Sequence, residues 1–315
     1  MISTTQTFLN EVLSGLHQNP KTLSSKYFYD EEGSKIFQEI MDMPSYYLPR
    51  AELNIIQTQS LAIAELFRDK PVDLIELGAG DGRKMVHFVK KLQAKTSELT
   101  YWPLDISESI LKVNKQLFEQ EIPGILVKPL PGDFFQTLPE IKDRTHTRVV
   151  LFAGSNIGNF RKEKAIEFLK FVGEHLQMGD YFLLGVDLKK HPRIIRGAYD
   201  DPGGITKRFN LNLLKRINRE LDGNFELKSF DHYATYHPIT GASESFLISL
   251  EKQTVTIHGE QISFEKDEVI QTEISQKYDL PMLENLAVES GYQMDTIVTD
   301  SEKQFAWVLM KVTQN

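Results

Sequence analysis

Between Asp73 and Leu188 short apolar runs alternate with stretches of helical spacing. "VDLIELG", "LTYWPLDI", "GILVKPLPGDF", "TRVVLFAGSNIGNF" and "DYFLLGVDL" read as strands, and residues 82–93, 107–120 and 161–176 read as helices between them. Parallel strands can be joined only by a crossover, and a helix is the usual one. The rhythm therefore predicts an α/β fold with a doubly wound parallel sheet covered by helices on both faces. No other feature of the 315 residues limits the topology so tightly. After a helix near 281–290, two apolar runs in "GYQMDTIVTDSEKQFAWVLMKV" are spaced as a hairpin that would complete this sheet.

The flanking segments follow other periods. Phe8, Val12 and Leu16 share one face of a helix over 8–18, and further helices are expected over Ser34–Met41 and Ala51–Phe67. Past Lys189 the β-α rhythm stops. A helix over 205–221 precedes alternating runs, "FELKSFDHYATYH", "SESFLISLEKQTVTIHG" and "EQISFEKDEVIQTEISQKYD", that read as an antiparallel meander with one solvated face. The expected division is one domain from residues 56–195 with 286–315, and an inserted α+β domain from 1–55 with 196–285.

The first strand of the alternation runs into "GAGDGRK". A dinucleotide fingerprint would place its third glycine at position 83, which is Arg83; the third glycine here is Gly82. In dinucleotide folds the pyrophosphate rests on the first helix N-terminus. Here Asp81 would set a carboxylate there, and Glu76 adds a second negative charge at the strand end. A loop with two acids suits a cationic ligand without phosphate, and S-adenosylmethionine is such a ligand. Gly78 and Gly80 let the main chain approach it closely. Asp105, ending the second strand, can accept from a ribose diol; Asp133 and Phe134, after the third, can take an adenine's amino group and face. Each has a plain alternative: a tight turn for the glycines, a helix cap for Asp105, a core position for Phe134. Their joint position at successive strand ends, where such sheets bind ligands, favours the cofactor.

Composition closes off other chemistries. There is no cysteine, so disulfides, thiolate nucleophiles and Cys-ligated zinc are excluded. The eight histidines are scattered without a ligand-pair spacing, so no metal is expected. A net charge of -8 and the absence of an Asn/Asp-Pro-Pro-Tyr/Phe motif weigh against a nucleic-acid substrate. No run of apolar residues is long enough for a membrane span, and the N-terminus lacks the pattern of a signal peptide, so a cytoplasmic protein is expected. Nothing in the sequence reports an oligomeric state, and a monomer is compatible with it. Two other classes remain to be separated: a nicotinamide-dependent oxidoreductase, and a non-catalytic module that binds S-adenosylmethionine or an amino acid.

Several longer motifs add a resemblance: "KYFYDEEGSKIFQEI", "PSYYLPRAE", "IELGAGDGRK", "GSNIGN", "AYDDPGGITKRFNLN" and "TEISQKY". Nearly end to end, the chain resembles the histidine-specific S-adenosylmethionine-dependent methyltransferases, whose best-known activity is Nα-trimethylation of histidine in ergothioneine biosynthesis. The resemblance implies a Rossmann-like methyltransferase sheet with an inserted α+β substrate-binding domain. It implies that Gly78, Lys84, Asp105, Asp133 and Phe134 line the cofactor site. It further implies that a small amino-acid substrate sits beneath the inserted domain. Tyr46, Asn159 and Tyr199 would hold its amino and carboxylate groups, Glu273 and Ser275 would grip an imidazole, and Tyr29 would lie near the same pocket. Asn159 and Tyr199 would position the reacting amine. Glu273 and Ser275 stand two apart in a strand and so share a face, which in an ordinary strand is simply solvated. One residue departs from the pattern: Ser245 stands near the place of a methionine in the histidine enzymes. A smaller polar residue there would enlarge the pocket or alter its preference, and relatives act on tryptophan-type substrates.

Overall fold

The computed structural model describes residues 4–142 and 144–313. In chain order it contains α1 (Thr4–Leu16), β1 (Lys21–Thr22), α2 (Glu31–Asp42), α3 (Leu48–Thr58), α4 (Ser60–Glu65) and β2 (Pro71–Leu77). Then come α5 (Val86–Gln93), β3 (Glu98–Asp105), α6 (Glu108–Glu121), β4 (Leu126–Val127), β5 (Leu130–Pro131) and α7 (Phe134–Thr137). The alternation ends with β6 (Thr147–Phe152), α8 (Lys162–Gly173) and β7 (Tyr181–Asp187). Next are α9 (Pro192–Tyr199), α10 (Ile205–Glu220), β8 (Phe230–Tyr236), β9 (Ala242–Ser249), β10 (Gln253–Ile257), β11 (Glu260–Phe264) and β12 (Val269–Gln276). The chain closes with α11 (Leu280–Glu289), β13 (Tyr292–Thr299) and β14 (Phe305–Val312).

These elements form two compact units: Leu48–Lys189 with the chain from Gln276 onward, and the chain up to Tyr47 with Lys190–Ser275. The first holds a sheet in the order β13-β14-β7-β6-β2-β3-β4, with β5 also paired to β3. Strands β7, β6, β2 and β3 run parallel to one another, and β14 is antiparallel to both β7 and β13. Period-2 alternation sends successive side chains to opposite faces. Leu74, Val149 and Leu151 join Phe67, Phe88 and Trp307 on one face. Ile75, Val150 and Phe152 join Phe168, Leu169 and Leu286 on the other. Burial on both faces explains why these strands are apolar throughout. Each such side chain contributes about 1.5–3 kcal/mol by leaving water. From β2 the chain steps to β3 on one side and later to β6 on the other, which places the switch point of the sheet at the C-terminal end of β2.

The second unit holds the sheet β1-β12-β9-β8, with β1 parallel to β12 and β8 antiparallel to β9. Its core gathers Phe8, Val12 and Leu16 of α1, Ile36 and Ile40 of α2, and Phe209, Leu213 and Ile217 of α10, together with Phe230, Leu247 and Ile270 from the strands.

Local structure departs from the sequence expectations in five places. The helix expected over Ala51–Phe67 is two helices, α3 and α4, broken at Gln59. The first crossover helix starts at Val86, not at residue 82, because Gly82 sits at φ +75 and Arg83 to Met85 remain in turns. The third strand is two fragments, β4 and β5, because Pro129 has no N–H to donate and interrupts the ladder. The meander is two sheets: β10 and β11 form a separate two-stranded hairpin turned at His258 and Gly259, both at positive φ. The chain leaves the larger sheet between β9 and β10 and returns to it between β11 and β12, and the alternating spacing alone does not mark those changes. Finally, α9 was missed. Its start is written as Pro192 in the first turn behind His191, whose ring accepts from the Arg193 N–H.

Candidate active site

The glycine loop is held from both ends by main chain. The Gly78 and Ala79 N–H groups donate to the Leu104 carbonyl at 2.8 and 3.0 Å, and the Gly80 N–H donates to Asp105 Oδ2 at 3.0 Å. Gly78 and Gly80 have φ of +70 and +55, and no atom lies within 4 Å of where a Cβ would stand on either. Only glycine enters this geometry cheaply, and the open space beside it is a cradle for a ligand. The Gly132 N–H donates to the Asp105 carbonyl at 2.9 Å, which brings Asp133 and Phe134 to the end of β3. Asp133 caps the short α7 through Phe135 N–H at 3.0 Å, while Phe134 packs half-buried against Phe152 and Phe168. Asp105 does not cap a helix; Ser107 does that for α6.

Two acidic residues behave differently from the sequence expectation. Asp81 precedes the helix by five positions, and its carboxylate binds the Arg83 N–H and side chain. The argument against phosphate at a helix N-terminus therefore does not apply to it directly. Glu76 is buried at the end of β2 and accepts from the Tyr101 hydroxyl at 2.5 Å. Burial pushes its carboxyl up to about 8, helped by Glu52 and Asp105 and opposed by the Tyr101 bond and Lys84. So Glu76 is not a fixed negative charge at neutral pH. Beneath the loop, Asn114 donates to the Gly80 carbonyl at 3.1 Å and lies 3.4 Å from the Tyr101 hydroxyl.

The sequence reading missed Glu52, on α3 within "PRAE". Only 1% of its surface is exposed. Its Oε1 accepts from the Gly154 N–H at 2.9 Å and from Trp307 Nε1 at 3.0 Å, and its Oε2 pairs with Lys84 Nζ. Burial alone would raise its pKa, but the Lys84 charge and these donors hold the carboxyl below the usual range. Lys84, expected at the cofactor, is thus anchored through Glu52. Its one sequence signal was a charged residue on the apolar spacing of Ala51, Ile55 and Ile56. Past β6, Gly154 and Ser155 both take left-handed φ, of +71 and +59, and the Ser155 hydroxyl accepts from Asp187 N–H at 2.9 Å. A 3-10 turn over Asn156–Asn159 follows, and it leaves the Asn159 side chain exposed.

In the other unit stand Tyr29, Tyr46, Tyr199, Glu273 and Ser275, five of the six residues expected at an amino-acid substrate, while Asn159 belongs to the first. The Tyr199 hydroxyl, at the end of α9, donates to Ser275 Oγ at 2.9 Å. Tyr46 sets its ring edge-on to Tyr199, with centroids 6.3 Å apart. Ser245 Oγ donates to Glu273 Oε2 at 3.2 Å. Tyr29 packs edge-on against Phe37 and Phe209, and desolvation and the Glu273 charge raise its pKa although half its surface stays open. Ser275 is buried and Glu273 half-buried, so this strand face is not a simply solvated one. Among the described residues, no three His, Asp or Glu side chains gather so as to hold a metal ion. No helix among them is long and apolar enough to cross a membrane.

A doubly wound sheet with a glycine turn at its switch point and acids at the next two strand ends fits an S-adenosylmethionine-dependent methyltransferase. Comparison with known proteins agrees. The model of the histidine-specific, S-adenosylmethionine-dependent methyltransferases matches residues 8–312, and the chain belongs to that family. The histidine N-alpha-methyltransferase of Mycobacterium tuberculosis is 35% identical over 85% of this chain and 83% of its own length. The enzyme of the same name from Mycolicibacterium smegmatis is 32% identical over 96% of this chain and 94% of its own. A 4-dimethylallyltryptophan N-methyltransferase of Epichloe festucae var. lolii is 26% identical, covering 96% of this chain and 94% of its own.

Proposed function

We propose that this methyltransferase acts on the α-amine of free L-histidine, with Tyr29, Tyr46, Asn159, Tyr199, Glu273 and Ser275 as substrate-binding residues. The observation that carries the choice is the Ser245–Glu273 and Tyr199–Ser275 pairs on β9, β12 and α9. Together they offer a carboxylate acceptor and a hydroxyl, the two partners an imidazole's nitrogens require.

When bound, S-adenosylmethionine supplies a methyl group on a sulfonium, already an excellent leaving group. The protein's share is orientation, exclusion of water and selection of a deprotonated amine. Gly78, Gly80, Glu76, Lys84, Asp105, Asp133 and Phe134 form the seat for the methyl donor. Asn159 and Tyr199 orient the amine's lone pair, and its proton leaves to solvent before attack. No side chain is assigned as a strong base.

A second reading, a tryptophan-like amine, draws support from the small buried Ser245 and from the relative that acts on a prenylated tryptophan. Incubation with the methyl donor and each of the twenty amino acids, read by mass spectrometry, separates the two. Histidine carrying one to three added methyl groups is expected; methylation of tryptophan alone would replace the first reading with the second. Asn159→Ala should lower kcat on histidine by roughly a hundredfold with adenosylhomocysteine affinity kept within about threefold. Unchanged turnover would remove Asn159 from the reaction.

A further inference from the structure

We propose that Glu52 is a positioning residue that sets the cofactor loop and the loop bearing Asn159 in one fixed arrangement. This rests on the cofactor and amine roles given above to Lys84 and Asn159. The carboxylate touches both loops at once: Lys84 on the glycine-loop side, and the Gly154 N–H at the head of "GSNIGN". A third donor, Trp307 Nε1 on the buried strand β14, ties the carboxylate to the sheet.

Three features indicate a purpose beyond packing. First, a buried carboxylate is a costly way to fill a gap between a helix and a sheet; a leucine-sized residue would do so without desolvating a charge. Second, the fold makes room for it. Gly185 on β7 faces Oε1, and a Cβ there would stand 2.9 Å from that oxygen. Third, the Gly154–Ser155 pair is wound left-handed in succession, and Ser155 is not a glycine. Such a conformation persists when its surroundings over-determine it. The Glu52 bond to Gly154 N–H and the Asp187 N–H bond to Ser155 Oγ do so from opposite sides. Asn159 then stands one short turn downstream of a clamped pair. The same carboxylate holds the Lys84 ammonium near Glu76, so a change at Glu52 would be felt at the donor's seat and the amine's positioning group together.

The test uses Glu52→Gln, Lys84→Met and the double variant in the full-length enzyme. Glutamine keeps an acceptor for Gly154 and Trp307 and severs only the ionic link. Adenosylhomocysteine affinity is read by calorimetry, and kcat and KM for histidine by product formation. Each single variant should weaken adenosylhomocysteine binding about tenfold and lower kcat about tenfold, with histidine KM within about threefold. The double variant should be no worse than the weaker single, because both act through one link. Full additivity, or a lowered melting temperature with unchanged kcat and affinity, overturns the proposal. Should Lys84→Met leave too little folded protein through an unpaired buried carboxylate, Gly185→Ala presses on Oε1 without altering a charge. It should then lower kcat at least threefold, and wild-type kcat would count against the proposal. If the wild type binds adenosylhomocysteine but does not methylate histidine, the substrate assignment fails, while the Glu52 effect on affinity still stands or falls by itself.

Discussion

The seat proposed for the methyl donor and the group assigned to the amino acid are made of different materials. At the ends of β2 and β3 the contacts are main-chain: glycines at positive φ, peptide N–H groups bonded across to Leu104 and Asp105, and a carbonyl fixed by Asn114. On α9, β9 and β12 they are side-chain: three hydroxyls, a tyrosine edge and one carboxylate. A backbone seat recognises a ligand by shape, so it can stay constant while other parts change. A side-chain seat can be retuned one residue at a time. Relatives acting on histidine and on a tryptophan derivative are what this division would produce.

The sharpest way to break the contrast is to place a methyl group in the backbone cradle. Gly80→Ala meets no neighbouring atom, so the fold should survive with only the left-handed penalty of about 1–2 kcal/mol. Adenosylhomocysteine affinity should nevertheless fall roughly a hundredfold, because the added Cβ occupies ligand space. Calorimetry beside a thermal melt checks both halves, and retained affinity would mean that the open space at Gly80 is not the seat. The counterpart on the side-chain seat is Tyr199→Phe. It removes the bond to Ser275 and leaves the ring against Tyr46, so kcat/KM for histidine should drop about tenfold or somewhat more. Donor affinity should not change. An equal loss in both parameters would erase the distinction between the two regions.

The two regions also differed in how far the sequence disclosed them. The residues proposed for the donor seat could be singled out in the sequence because each falls at the end of an apolar strand, and strand ends can be read from composition and spacing. Gly78, Gly80, Asp105 and Asp133 all stand at such ends. What could not be read there was charge state: Glu76 looks like a surface acid in "LIELG", yet burial by the covering helices raises it to about 8. Glu52 escaped notice for a related reason, since its partners lie 32, 102 and 255 positions away. The amino-acid group depended on family motifs, because hydroxyls and a glutamate on alternating strands have no local signature. The passage from β9 to β10 shows the same limit, as the alternating spacing on both sides hid a change of sheet.

Glu76 supplies a test of the donor seat that the other region should not answer. A carboxyl whose folded pKa is raised is held neutral by the fold: its contribution is complete below the ordinary value near 4.5 and is lost as pH rises through about 8. A cationic ligand beside it favours the ionised form, so binding should release a proton and strengthen as pH rises. The groups facing it are Tyr101, Lys84, Glu52 and Asp105. Affinity for S-adenosylmethionine, which carries the sulfonium charge that adenosylhomocysteine lacks, should increase by up to about tenfold between roughly pH 6.5 and 8.5, with proton uptake by the buffer detected calorimetrically. Glu76→Gln should flatten that slope. A slope that persists in the variant would assign the titration elsewhere.

The smallest effect is expected at Ser245, and it probes the retuning argument most directly. Its hydroxyl is buried and donates to Glu273 at 3.2 Å, so it fixes the orientation of the carboxylate assigned to the imidazole. Ser245→Ala removes that bond without changing the size of the site appreciably. The bond is long at 3.2 Å and acts on histidine only through the orientation of Glu273, so KM for histidine should rise only about threefold, with kcat and donor affinity unchanged. Glu273 keeps its carboxylate in the variant, and that acceptor still satisfies one imidazole N–H. Preference for histidine over tryptophan should therefore fall slightly and not invert. An inversion on loss of one hydroxyl would show that Ser245 alone selects the substrate, and that the tyrosines and Ser275 serve the amine end only.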